Sequence, residues 1–127
     1  MVSYTLKWEA QGVVKYFTGT VSSRDLLESE REVVNHPGFD RMRYVISVYL
    51  TAVDTSFTDE DREELIALRV GGFFTNRRIR YVIVTQDERV RTNVLATIAT
   101  VDSRHQTALF DDLMEAIAWA NAGPSGS

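Results

Sequence analysis

The chain has 127 residues, of which 44% are hydrophobic and 25% charged, a balance typical of one globular domain with a single core. Its formal net charge of -4 argues against general nucleic-acid binding, which needs clustered positive charge against phosphates. It contains no cysteine, which excludes disulfides, thiolate metal sites and cysteine nucleophiles and favours a reducing, cytoplasmic location.

The first two elements are predicted to form an antiparallel hairpin. Residues 4–8 alternate between apolar and polar side chains, and residues 13–21 place Val13, Phe17 and Val21 on one apolar face. The first residues lack a charged start followed by an apolar stretch, so no signal peptide is expected. No apolar run approaches the roughly 18 residues of a membrane-spanning helix, so no membrane span is expected either.

A first helix is predicted next, followed by a buried strand. Ser22 and Asp25 have the spacing of a capping box, and His36-Pro37-Gly38 stops the helix that they begin. Residues 44–50 (YVISVYL) are almost wholly apolar and β-branched or aromatic, which is typical of a strand covered by helices on both faces.

The segment of residues 51–57 is predicted to be a loop that leads into a second helix. Thr58 opens this helix, with Asp61 in the position of its capping-box partner. We expect Gly71-Gly72 to weaken or end the helix before Phe73-Phe74, because glycine is a poor helix former.

The remaining elements alternate between strands and helices. Residues 79–84 predict a third buried strand, 87–100 a third helix, 107–110 a short strand, and Asp112 caps a final helix that Gly123 stops. The order β-β-α-β-α-β-α-β-α predicts the α/β class: a single-layer mixed β-sheet, parallel in its later part, with helices packed on it. Residues 1–122 form one domain in this interpretation, and residues 123–127 a flexible tail.

No pattern indicates a catalytic or metal centre. His36 and His105 have no second ligand at metal-binding spacing, so no metal, cofactor or catalytic residue is predicted. Arg77, Arg78 and Arg80 form the densest basic patch. They could bind a phosphate or an acidic partner, or simply be solvated charges at a strand entrance.

Two stretches resemble a known family. Residues 109–119 (LFDDLMEAIAW) are similar to the ending of the SpoIIAA-like branch of the STAS fold, where a short strand with Phe leads to a helix carrying Glu-Ala and a Trp. Residues 19–25 (GTVSSRD) resemble that family's passage from strand to first helix. The resemblance implies the SpoIIAA-like fold over nearly the whole domain.

The resemblance also implies a regulatory loop. Anti-sigma-factor antagonists of this fold carry a phosphorylatable serine within Asp-Ser-Ser/Thr-Gly after their third strand. This chain has Asp54, Thr55 and Ser56 in the comparable place, with Phe57 where the family has glycine, and Thr58 follows. The alternative is that these hydroxyls serve only as turn and capping residues.

We therefore expect a non-enzymatic regulatory or protein-interaction domain that contacts an unidentified protein partner through Asp54, Thr55, Ser56, Thr58 and the helix after them. The alternative function is a carrier of a small apolar, lipid-like ligand, since the SpoIIAA-like fold is similar to CRAL-TRIO domains. Its pocket would be lined by Phe73, Phe74 and Trp119. The Phe73-Phe74 pair also predicts self-association into a homodimer, because exposed apolar pairs mark interfaces.

Overall fold

The computed structural model describes residues 4–19, 21–49, 55–56, 58–92 and 107–122. The strands are β1 (Tyr4–Trp8), β2 (Gly12–Phe17), β3 (Val21–Ser22), β4 (Tyr44–Tyr49), β5 (Thr55–Ser56), β6 (Arg80–Val84) and β7 (Thr107–Phe110). The helices are α1 (Ser23–Val34), α2 (Asp59–Thr75), α3 (residues 88–92) and α4 (Leu113–Asn121), and a 3-10 turn, Phe39–Arg41, precedes β4.

The five longer strands form one mixed sheet in the order β1-β2-β4-β6-β7. β1 pairs antiparallel with β2, whereas β2, β4, β6 and β7 are parallel. The two short strands, β3 and β5, pair parallel with each other in a separate two-stranded ladder. The prediction of an α/β protein with a mixed sheet is therefore confirmed.

Helices cover both faces of the sheet. On one face, Ala116 and Ala120 of α4 pack against apolar side chains of the three central strands in a cluster: Val14, Tyr44, Ile46, Val48, Val82 and Val84. On the other face, α1 contributes Val33 to a second cluster with Val13, Phe39, Met42, Val45, Ile79 and Tyr81. Period-2 alternation along each strand assigns successive side chains to opposite faces, so each central strand contributes to both clusters.

The structure corrects two predicted boundaries. The strand expected over residues 13–21 ends at Phe17, because Gly19 takes a positive φ of 67° that turns the chain before β3. The helix expected to weaken or end at Gly71-Gly72 continues to Thr75. Gly72 lies against the core, where a Cβ would approach Phe39 Cζ to 3.1 Å, so tertiary packing outweighs the low helix propensity of glycine.

Several predictions fall outside the described residues. They are the part of the third helix after residue 92, the last residue of the strand predicted over 44–50, the loop residues 51–54 and 57, His105 and the tail 123–127. Within the described ranges, none of the helices combines the length and the apolar character that crossing a bilayer requires.

Candidate functional site

The predicted regulatory segment is held beside the start of α1. Ser56 pairs with Ser22 in the β3–β5 ladder, so the residues that precede α1 and α2 lie next to each other. Ser22 Oγ accepts a hydrogen bond from the Asp25 amide at 3.1 Å, which completes the predicted capping box with the Asp25 carboxylate. The N-termini of two helices are therefore brought to one place.

Thr58 is the N-cap of α2. Its Oγ1 accepts a hydrogen bond from the Asp61 amide at 3.0 Å, so its hydroxyl serves as a cap, which was the alternative role foreseen for it. Thr55 and Ser56 belong to β5, and Asp54 lies outside the described residues. Of the four predicted loop residues, Thr58 is the one whose side chain is described, and it acts as a helix cap.

Helix α2 follows this segment and exposes a continuous face. We call this the outer face of α2, and its residues recur at three- and four-residue spacing: Glu60, Glu63, Ala67, Val70, Gly71 and Phe74. All six are exposed, and the Phe74 side chain is 74% exposed although it is large and apolar. Acidic residues occupy the first half of the face and apolar or small residues the second.

The opposite side of α2 is anchored by buried charges. Glu30 of α1 is fully buried, and its carboxylate lies 3.1 Å from Lys15 Nζ of β2 and 3.5 Å from Arg69 Nε of α2. The Arg69 guanidinium also lies 5.3 Å from the centre of the Tyr81 ring. On the surface, Arg31 pairs with Glu64, which joins α1 to α2 a second time.

Burial and charge act against each other in this cluster. Burial alone would raise the pKa of Glu30, but Lys15 and Arg69 outweigh it and hold that pKa below its ordinary value. Burial lowers the pKa of Lys15 despite the nearby Glu30 carboxylate. Burial, reinforced by Glu30, raises the pKa of Tyr81 well above its ordinary value. Glu30 is therefore the anion that two cations share, and it fixes α2 against α1 and the sheet.

The residues predicted to line an apolar pocket lie apart. Trp119 belongs to the α4 side of the sheet, where its ring tilts against Phe110 and carries the Arg80 guanidinium 4.5 Å from its centre. Phe74 lies on α2, on the other side of the sheet, and points into solvent. Phe74 and Trp119 therefore do not line a common cavity, and the side chain of Phe73 is outside the described set.

A cleft opens at the carboxyl ends of β4, β6 and β7, the edge where α/β proteins commonly bind ligands. It encloses about 670 Å³, and its charged lining residues are mainly acidic: Asp87, Glu88, Arg89, Asp111 and Asp112. A hydrogen bond from the Arg89 amide lowers the pKa of Asp87, whose carboxylate caps α3. In the described part of the chain, however, no three His, Asp or Glu side chains are grouped closely enough to hold a metal ion.

The buried cluster was missed in the sequence, although a signal was present. Lys15 lies between Val13 and Phe17, so it occupies an inward position of the predicted apolar strand face. Glu30 likewise falls on the helical stripe that runs from Leu26 to Val33. Two opposite charges on two apolar faces predict a buried ion pair, because an unpaired buried charge is too costly.

No protein-family model matches this chain, and no curated protein matches it.

Proposed function

We propose that this chain is a non-enzymatic protein-interaction domain that acts in the cytoplasm and docks a protein partner through the outer face of α2. The residues before that helix, Thr55 and Ser56, belong to the same contact surface. The proposal includes a likeness to the SpoIIAA-like branch of the STAS fold, whose small α/β domains act by binding proteins.

The observation that carries the proposal is the exposure of Phe74 beside Val70. A phenylalanine that is 74% exposed and a valine that is 37% exposed lie one turn apart on the same side of a helix. The inner side of the helix is engaged by Leu65, Arg69 and Gly72, so within the described ranges this apolar surface does not serve the packing of its own domain. Aromatic side chains of this kind are the residues that most often anchor protein interfaces.

Regulation through the preceding hydroxyls is part of the same proposal. Since Thr58 is occupied as an N-cap, the candidate phosphate acceptors are Thr55 and Ser56. A phosphate on Ser56 would enter a region where two helices begin, and it would add negative charge next to the acidic first turn of α2. Such a change alters the charge beside the start of α2.

The test is capture of partners by the tagged chain from a lysate of the organism that encodes it, with crosslinking and mass spectrometry. We compare Phe74→Ser with Met114→Ser, because Met114 is 73% exposed on α4, on the other side of the sheet. The expected result is a partner that is retained by Met114→Ser and lost by Phe74→Ser and by Ser56→Asp. Equal capture by both serine variants would contradict the proposal.

A further inference from the structure

The outer face of α2 and the residues just after the helix carry opposite charges at their two ends. Glu60 and Glu63 precede the apolar stretch, and the exposed Arg77 and Arg78 follow the end of the helix at Thr75. The apolar centre is short, since Ala67 and Phe74 are separated by two helical turns. A surface that is acidic at one end and basic at the other is complementary to itself when it is turned around.

The spacing of these residues is symmetric about one point of the helix, between Val70 and Gly71. With a rise of about 1.5 Å per residue, Ala67 and Phe74 each lie about 5 Å from this point, in opposite directions. Glu63 lies about 11 Å before the point, and the exposed Arg78 lies in the turn that follows the end of the helix at Thr75. In an antiparallel pair of such helices, Phe74 of each copy would therefore meet Ala67 of the other, and Glu63 would lie opposite the turn that carries Arg78 of the other copy.

We propose that the partner of this face is a second copy of the chain. The two α2 helices lie antiparallel across a twofold axis beside Gly71, with each Phe74 packed over the partner's Ala67 and with two symmetric Glu63–Arg78 ion pairs at the rim. This inference rests on the proposed function, since it names the occupant of the same surface.

The two adjacent glycines support this arrangement. Gly72 is explained by its own domain, because a Cβ there would lie 3.1 Å from Phe39 Cζ and 3.2 Å from Tyr81 Oη. Gly71 has no such reason, since a Cβ there would meet nothing within 4 Å. A glycine in an exposed helix interior costs about 1 kcal/mol of stability relative to alanine. At the twofold axis, its missing side chain lets the two helix backbones approach closely.

Sedimentation velocity of the purified full chain over a wide concentration range is the first test. We expect a monomer–dimer equilibrium, weak because a single helix face is a small interface. Phe74→Ser should raise the dimer dissociation constant about tenfold or more, as expected for a central aromatic anchor, and Met114→Ser should leave it unchanged. A chain that stays monomeric at every concentration, or a dimer that is indifferent to Phe74→Ser, overturns the inference.

A charge exchange tests the antiparallel register. In a dimer of Glu63→Arg chains, each rim contact brings two arginines together, and in a dimer of Arg78→Glu chains it brings two glutamates together. Each variant alone should therefore dimerise more weakly than the unmodified chain. Mixed in equal amounts, the two variants have opposite charges at both rim contacts and should form a heterodimer at least as well as the unmodified chain dimerises. A mixture no more associated than its separate components excludes this register.

Crosslinking locates the axis. Because the chain contains no cysteine, a single Gly71→Cys substitution supplies the only thiol, and mild oxidation should join two copies rapidly. Met114→Cys, which is also exposed but lies on the other side of the sheet, should react slowly. If Gly71→Cys crosslinks no faster than Met114→Cys while Phe74→Ser still loses a captured protein, the partner is a different protein. The proposal of a dimer is then wrong, and the proposed docking function is retained.

Discussion

Helices α2 and α4 cover opposite faces of one sheet, but they are held there by different forces. The inner side of α4 is formed by small apolar residues, and Ala116 and Ala120 are 0% and 2% exposed against the apolar cluster of the strands, while Arg80 contacts the half-buried Trp119. The inner side of α2 includes Arg69, which reaches the buried carboxylate of Glu30. Apolar packing is non-directional, whereas a buried ion pair accepts one geometry. The position of α2, and with it the position of the outer face, therefore depends on a buried ion pair in addition to the packing of Leu65 and Gly72.

Among the tests of this difference between α2 and α4, removing Glu30 should have the largest effect on stability. Glu30→Ala leaves Lys15 and Arg69 buried without their shared anion, and we expect a loss of about 3–5 kcal/mol in the free energy of unfolding. Urea unfolding followed by circular dichroism measures it. The control is Glu28→Ala on the exposed side of α1, which should change the stability by less than about 0.5 kcal/mol. Similar losses in both variants would mean that the buried cluster does not hold α2.

The dependence of stability on pH separates the two faces of the sheet. The pKa of Glu30 is lower in the folded chain than its ordinary value of 4.5, so its contribution is complete above that pH and is lost as the pH falls through the folded pKa. The difference in unfolding free energy between the unmodified chain and Glu30→Gln should therefore shrink from pH 7 towards pH 2. Ile46→Ala, on the apolar α4 side, should cost about 2–5 kcal/mol with little dependence on pH.

Parallel series of urea unfolding curves at several pH values provide the measurement. A Glu30→Gln deficit that stays constant from neutral to acidic pH would show that the carboxylate charge contributes nothing. A deficit of Ile46→Ala that varies with pH as strongly would remove the contrast between the two faces.

The apolar side of the fold was predicted from the sequence, whereas the buried charges were missed although the sequence places them on apolar faces. Residues 44–49 and 80–84 are strands because runs of β-branched and aromatic residues have few alternatives, and Ser22, Thr58 and Asp112 begin helices because their side chains accept local amide hydrogen bonds. The buried cluster joins three segments that are distant in the chain. The sequence therefore does not show which charged residues contact each other in the fold. The prediction that the helix weakens or ends at Gly71-Gly72 was wrong for the same reason. Helix propensity is a local property, whereas Gly72 contacts Phe39, which is distant in the chain.

The glycine pair also gives the finest comparison, between the inner and outer sides of α2 itself. Gly71→Ala adds a methyl group into open space and should stabilise the monomer by about 1 kcal/mol, through helix propensity and the less flexible unfolded chain. Gly72→Ala places the same group 3.1 Å from Phe39 and 3.2 Å from Tyr81, so the strain should cancel or exceed that gain. Thermal unfolding at a concentration where the chain is monomeric compares the two. Equal stabilisation by both alanines would mean that α2 is not packed tightly against Phe39 and Tyr81. The buried ion pair would then not hold the outer face in one fixed position.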